Sequence, residues 1–336
     1  MVTGVCGDLG ATFARCVAAD PGVDRVVGVD GQAPREDLPG VTFVRLDTRG
    51  PVIEDVLAAQ GVDTVVHLGV AALPAPGAGR SSLKESNVIG TMQLLAACQR
   101  AAGIRKLVLK SSTSVYGSSP RDPARFTEDM SPRRSLRSGF AKDSADAEGY
   151  VRGFSRRRPD VLVTTLRLAS VLSARVDTAM SRYFALPVLP TILGFDPRLQ
   201  LLHCDDAQAV LHRATVHDRP GTFNVAGTGV LLLSQAVRRT GLPTAAVPSF
   251  AFPGVARTLG RAVGSDIGSD LVDLLAYGRG VDTTALHSGF GYQPSWSTAA
   301  TLDAFVAARG PGPLSADRLR SVEERLGALL AGGGRG

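Results

Sequence analysis

Thr3-Gly4-Val5-Cys6-Gly7-Asp8-Leu9-Gly10, running into a helix-like stretch from Ala11 to Ala19, decides how this chain is read. An apolar lead-in meets three glycines at Gly4, Gly7 and Gly10. Such a turn lets backbone approach a ligand where a Cβ would obstruct it, and it aims the N–H groups of a helix N-terminus at a diphosphate. Alone, the spacing is a weak signal. It gains weight from Val26-Val27-Gly28-Val29-Asp30. The Asp30 carboxylate falls about 20 residues on, where it can accept both hydroxyls of an adenosine ribose. Gly4, Gly7, Asp8, Leu9, Gly10 and Asp30 are therefore the first candidate cofactor-binding residues. A carboxylate at Asp30 repels a 2′-phosphate, so NAD is expected over NADP. Asp47, at the end of the next strand, is placed either to border the adenine or to close a turn.

Outward from that turn the pattern alternates. β-branched runs at Arg25 to Val29, Val41 to Arg45, Thr64 to Leu68, Lys106 to Leu109 and Val161 to Leu166 are separated by helix-like stretches. Those stretches cover Val52 to Gln60, Leu83 to Ala102 and Lys142 to Arg157. This β-α-β rhythm predicts an α/β fold, a Rossmann-type doubly wound parallel sheet, over residues 1–172. From 173 to 308 the rhythm loosens into a smaller substrate-binding lobe. A helix at Asp205 to Val216 and a strand at Thr222 to Val225 return to the sheet. After Gly310-Pro311-Gly312-Pro313, Leu314, Leu319, Val322, Leu326, Leu329 and Leu330 recur at helical spacing, so 309–336 reads as a linker and an amphipathic helix. Only Met1 and Val2 precede Thr3, which leaves the first strand short.

Composition narrows the class. With 44% apolar and 20% charged residues, a globular protein with a sizeable core is expected. Cys6, Cys16, Cys98 and Cys204 are widely spaced and give no disulfide framework, so the cytoplasm is the expected location. Long apolar runs are lacking, and no membrane partner is expected. The net charge of +6 rests almost wholly on arginine, the lysines being Lys84, Lys106, Lys110 and Lys142, and this fits GC-rich codon bias. No reader motif accompanies it, so nucleic acid is not expected. Arg133, Arg134 and Arg137 form either a solvated or a phosphate-facing loop, and Arg156-Arg157-Arg158 reads as a helix C-terminus. His67, His203, His212, His217 and His287 show no metal-ligand spacing, so no metal is expected. Asp205 reads as a helix cap.

The ordered set Thr3 to Gly10, Asp30, Val66-His67-Leu68, Asn87-Val88-Ile89-Gly90-Thr91, Ser111-Ser112-Thr113-Ser114-Val115-Tyr116-Gly117 and Leu166-Arg167-Leu168 resembles the extended short-chain dehydrogenase/reductases. It is similar in particular to the NAD-dependent epimerase/dehydratase family that includes UDP-glucose 4-epimerases. Asn224-Val225-Ala226-Gly227 and Gly291-Tyr292-Gln293-Pro294 match later landmarks. The resemblance implies that Ser112 hydrogen-bonds the reacting substrate oxygen and that Lys142 binds the nicotinamide ribose. It implies that Leu68, Gly69 and Asn87 border or support the cofactor. Ser170 and Leu172-Ser173 depart from the family's Asn and Gly-Pro.

The largest departure is Ser138, which stands where the family has a tyrosine in Tyr-x-x-x-Lys. A phenol can be tuned toward working pH, whereas a serine hydroxyl is a far poorer acid and shorter. Tyr116 and Tyr150 are read as packing residues rather than substitutes. The expected function is an oxidoreductase or epimerase-like enzyme. It would act on a hydroxyl or keto group of a sugar-type or nucleotide-linked substrate by hydride transfer, with Ser112, Lys142 and Ser138 as the catalytic positions. A non-catalytic NAD(H)-binding regulator, and a lyase or isomerase with another acid/base, stay open beside it. So does a homodimer as the assembly.

Overall fold

The computed structural model describes residues 1–315 apart from 75–76, 137–138, 253, 256–257 and 259–267. Seven parallel strands make the central sheet: β1 (Val2–Thr3), β2 (Val26–Asp30), β3 (Val41–Arg45), β4 (Thr64–His67), β5 (Lys106–Ser112), β6 (Leu162–Leu168) and β11 (Gly221–Val225). Their spatial order is β11-β6-β5-β4-β1-β2-β3. The chain therefore leaves β1 toward one edge and returns toward the other. That reversal opens a crevice above the carboxyl ends of β1 and β4, where ligands bind in sheets of this kind. Helices α1 (Asp8–Ala18) and α7 (Cys204–Val216) pack together on one face. On the other lie α2 (Ile53–Ala59), α4 (Thr91–Arg100) and α5 (Gly139–Arg157). Val2, Val5, Val66, Val108, Leu166 and Leu168 fill the first layer, and Val29, Val65, Leu107, Leu109, Leu94 and Phe154 the second.

Three elements differ from their sequence patterns for physical reasons. β1 is only two residues long, yet the Met1 amino group donates to the Thr64 carbonyl at 2.6 Å and the Met1 carbonyl accepts from Val66, so pairing reaches the chain start. β5 outlasts its apolar run by three residues, because Lys110, Ser111 and Ser112 stay in register with Leu166, Arg167 and Leu168 of β6. The long helix after β4 comprises α3 (Arg80–Glu85), one π-helical turn at Ser86–Gly90, and α4. A Cβ on Gly90 would lie 2.6 Å from Thr48 Oγ1.

Beyond β6 a second core gathers Leu172, Met180, Tyr183, Phe184, Leu201, Leu233, Leu275, Leu302 and Phe305. It is built on two-stranded pairs: β7 (Ser170–Leu172) with β10 (Leu201–His203), β8 (Leu189–Ile192) with β13 (Thr244–Val247), and β9 (Arg198–Leu199) with β12 (Leu231–Leu232). Helices Ser269–Tyr277 and Thr298–Arg309 complete it. α7 and β11 leave this lobe and join the sheet, β11 pairing with β6 over five residues. The amphipathic pattern after residue 315 lies outside the described residues.

Candidate active site

The glycine turn holds its shape by close backbone contact. Gly4 has φ +75°, and a Cβ there would lie 2.9 Å from Gly69 Cα; on Gly10 it would lie 2.0 Å from the Gly4 carbonyl oxygen. Gly7 is different. A Cβ there would meet nothing nearer than that same oxygen at 3.6 Å, so Gly7 borders open space at the start of α1, whose N-terminus has no side-chain cap. Uncapped N–H groups at the positive end of a helix dipole suit a diphosphate, so the residues present fit a dinucleotide. Asp30 ends β2 with its two oxygens accepting from Cys6 N at 3.0 Å and Gln32 N at 3.2 Å, which fixes the carboxylate beside the turn. Asp8 accepts from Asp177 N at 2.8 Å and ties the turn to the second lobe. Leu9 packs partly buried against the first core layer, and Leu68 is buried beneath the turn. Asp47 is engaged by Arg49, which also pairs with Glu85, and that clamp holds its carboxyl below the usual range. Asp47 Oδ1 also accepts from Arg49 N at 3.0 Å within the turn.

Asn87 sits wholly buried in the π-helical turn. Its side chain accepts from Ala71 N and donates to Ala71 O, both at 2.9 Å, and also reaches Asp143 Oδ2 at 3.1 Å. Arg80 pairs with that same oxygen at 2.7 Å. The loop after β4 is thereby tied to the first turns of α5. His67 is locked just below. Its Nδ1 lies 2.6 Å from Thr3 Oγ1 and its Nε2 2.8 Å from Thr91 Oγ1. Thr91 already donates to Asn87 O, so the geometry assigns the proton to Nε2 and leaves Nδ1 to accept. Burial, with Lys110 nearby, pushes this histidine down to about 3. His67 therefore serves packing.

Ser112 ends β5 and caps the following 3-10 turn Thr113–Tyr116: its Oγ accepts from Ser114 N and donates to Ser114 Oγ, both at 3.1 Å. Lys142 lies in the first turn of α5, with 38% of its side chain exposed, and pairs with Asp146 one turn on. Ser138 lies outside the described residues. The helix opens at Gly139 with φ +86°, where a Cβ would stand 2.7 Å from both Asp270 oxygens. Asp270 comes from the second lobe and accepts from Ala141 N at 2.9 Å, and burial raises its carboxyl. A lobe-crossing carboxylate thus caps the helix that carries Lys142. Tyr150 lies in α5 and is 37% exposed.

Tyr116 does pack. It stacks on Phe126 with ring centroids 4.6 Å apart, donates to Asn224 Oδ1 at 2.8 Å and accepts from Arg167 Nη1 at 2.7 Å. Arg167 in turn meets Glu148 through Nε at 2.9 Å and Nη2 at 2.7 Å, and Ser111 donates to Glu148 at 2.6 Å. Asn224 Nδ2 bonds Phe126 O and Asp282 O. Sequence reading gave Glu148 no part in this network. It also missed Arg279, fully wrapped by protein, which donates to Gly117 O at 2.7 Å, Ser118 Oγ at 3.0 Å and Ser114 Oγ at 3.3 Å. Burial lowers it to about 10 despite Asp270, Asp122 and Asp273. The signal lay in its flanking glycines. A Cβ on Gly278 would lie 2.6 Å from Arg198 backbone, and one on Gly280 2.8 Å from Ala124 O, so only glycine threads Arg279 to this depth.

One further reading needs correction. Asp205 does not cap α7; the His203 ring accepts from Asp205 N at 3.3 Å, while Asp205 pairs with Arg175. His203, Cys204 and Asp205 bring ligand-type atoms within 4.8 Å of one another, but Arg175 bonds both Cys204 Sγ and Asp205 there, a cation where an ion would sit. Of the arginine run, Arg156 and Arg157 stand in the last turn of α5 as expected, and Arg158 just beyond donates to the carbonyls of Cys98 and Gln99 in α4 and of Ala101 and Ile104 after it. Arg133 and Arg134 are exposed, and Arg137 lies outside the described residues.

The sheet order, the glycine turn and the groups at the ends of β5 and α5 define an NAD-type dinucleotide fold of the extended short-chain class. The model of the NAD dependent epimerase/dehydratase family matches residues 1–226, and the chain belongs to that family. An uncharacterized protein of Mycobacterium tuberculosis is 45% identical over 334 residues, 98% of this chain and 89% of its own length. The UDP-glucose 4-epimerase of Corynebacterium glutamicum is 27% identical over 197 residues, 57% of each chain. Among solved structures, a dTDP-glucose 4,6-dehydratase from Streptomyces venezuelae with NAD and TYD bound superposes with TM-score 0.69 at 24% identity, over 91% of this chain and 95% of its own. Among the described residues no helix is long and apolar enough to cross a membrane.

Proposed function

We propose that the chain is an NAD-dependent enzyme of the epimerase or oxidoreductase type, acting on a hydroxyl or keto carbon of a nucleotide-linked sugar. The observation that carries this reading is the state of Ser112 and Lys142. Both sit at the top of the sheet with part of their surface accessible and bond partners close by in sequence, while the polar groups beneath are bonded to one another. NAD, when bound, supplies the hydride acceptor. Ser112 orients the substrate oxygen by hydrogen bonding, and Lys142, freed from Asp146, holds a ribose and keeps positive charge beside the substrate hydroxyl. Gly7 and the start of α1 take the diphosphate, Asp30 the adenosine ribose. Asp270 fixes the turn from which Lys142 projects. The UDP-glucuronic acid bound to one structural neighbour and the dTDP-glucose in the name of another support the substrate class. A non-catalytic NAD-binding role is the second reading, and Ser138 favours it by removing the phenol that proton exchange uses elsewhere in the family.

A panel of UDP- and dTDP-sugars, followed by cofactor absorbance and by product stereochemistry, tests this. Turnover by the wild type, lost in Lys142→Ala and Ser112→Ala, is the expected result. Tight NAD binding without turnover in wild type and in Ser138→Tyr would favour the regulator.

A further inference from the structure

Lys110 is a cation that the proposed chemistry does not use. Lys110 is the fifth residue of β5, two before Ser112. Side chains alternate along a strand, so Lys110 and Ser112 leave the same face, about 7 Å apart along β5. Ser111 between them turns to Glu148 on α5, which puts Lys110 on the opposite face, the one covered by α1 and α7, with α7 packed directly on β5. Its neighbours there are apolar: Leu166 is its register partner on β6, and Val66, Leu68, Val108 and Leu168 line the same layer. Lys106 finds Thr215 O and Asp218, and Lys142 finds Asp146. No described residue accepts a hydrogen bond from Lys110 or pairs with it. Burial alone pushes it down to about 8, with no carboxylate offsetting the cost, so it stays mostly charged at neutral pH. Lys110 keeps some accessible surface, whereas Leu107, Val108 and Leu109 before it are buried, so the strand meets solvent at its crevice end. An unpaired charge held at that cost, two residues before Ser112, calls for a partner that the protein itself does not supply.

We infer that Lys110 is a cofactor-tuning residue: its ammonium lies beneath the nicotinamide end of the dinucleotide cleft and favours the reduced cofactor over the oxidised one. The inference rests on the NAD reading above. The oxidised nicotinamide ring is a cation and the reduced ring is neutral, so a fixed positive charge below it penalises only the oxidised form. An ammonium bound to the diphosphate instead would strengthen both forms alike, since that group does not change. Calorimetric titration of wild type, Lys110→Met and Lys110→Arg with NAD and with NADH separates these. Wild type should prefer NADH, Lys110→Met should reduce that preference by about fivefold or more, and Lys110→Arg should retain most of it. Equal weakening of both forms in Lys110→Met would overturn the inference in favour of a diphosphate contact. An unchanged ratio with unchanged affinities would overturn it outright while leaving NAD binding intact. Absence of any NAD or NADH binding in wild type would instead bring down the cofactor reading and this inference with it.

Discussion

Beneath the carboxyl ends of β5 and β6, Glu148, Arg167, Tyr116 and Asn224 commit their polar atoms to one another and to backbone, whereas at the rim Ser112 bonds only Ser114 and Lys142 only Asp146. The two regions are a few ångströms apart and equally polar. What separates them is where the partners come from. In the lower network each partner belongs to a different element, so breaking a bond uncouples strands, helix and loop. At the rim each partner lies within four residues along the chain, so exchanging it for a ligand leaves the fold alone. Polar richness does not by itself mark a site; the range of the partnership does.

The sharpest way to break this contrast is to remove one charge from the lower network. Arg167→Met leaves Glu148 buried with Ser111 as a hydrogen-bond donor and Arg152 at 3.4 Å as its ion-pair partner, and the expected loss is about 3–5 kcal/mol in chemical denaturation. At the rim, Lys142→Ala and Ser112→Ala should each lower turnover by about 10²-fold or more while moving stability by less than about 0.5 kcal/mol. A large stability loss at Lys142 would erase the distinction.

Acid extends the comparison to His67. Its folded-state value lies near 3, well below the ordinary value, so the unfolded chain binds the extra proton first. Its share of stability is complete above about pH 6.5 and falls as pH drops toward 3, with a slope of up to about 1.4 kcal/mol per pH unit. Denaturation of wild type and His67→Gln between pH 7 and pH 4 should show a shallower dependence in the variant. Smaller again is Asp30→Ala, which should narrow a preference for NAD over NADP by about tenfold in parallel titrations, since it removes the charge that opposes a 2′-phosphate. Least of all, Ser138→Ala should change turnover by less than about threefold, because an unassisted serine hydroxyl is too weak an acid to carry the proton.

Much of the fold was legible in the sequence because parallel strands buried on both faces leave continuous β-branched runs, and because Gly4, Gly7 and Gly10 meet Asp30 at a spacing that one geometry explains. The positions of Ser112 and Lys142 were legible through family resemblance. Glu148, Asp270, Arg279 and Lys110 were not singled out, since each acquires its meaning from residues distant in sequence: Arg167 from Glu148, Ala141 from Asp270, Gly117 from Arg279, and the apolar layer around Lys110. Asp205 was misread for a related reason. Its position at a helix start suggested a cap, but the His203 ring reaches the N–H group first, and Arg175, thirty residues away, claims the carboxylate.

Calorimetric titration of NAD into wild type, Lys142→Ala and Tyr116→Phe tests the contrast between rim and floor most directly. Lys142→Ala should weaken NAD binding by about tenfold with stability intact, and Tyr116→Phe should bind like wild type while losing about 1 kcal/mol of stability. The reverse pattern, with binding lost in Tyr116→Phe and kept in Lys142→Ala, would contradict the account.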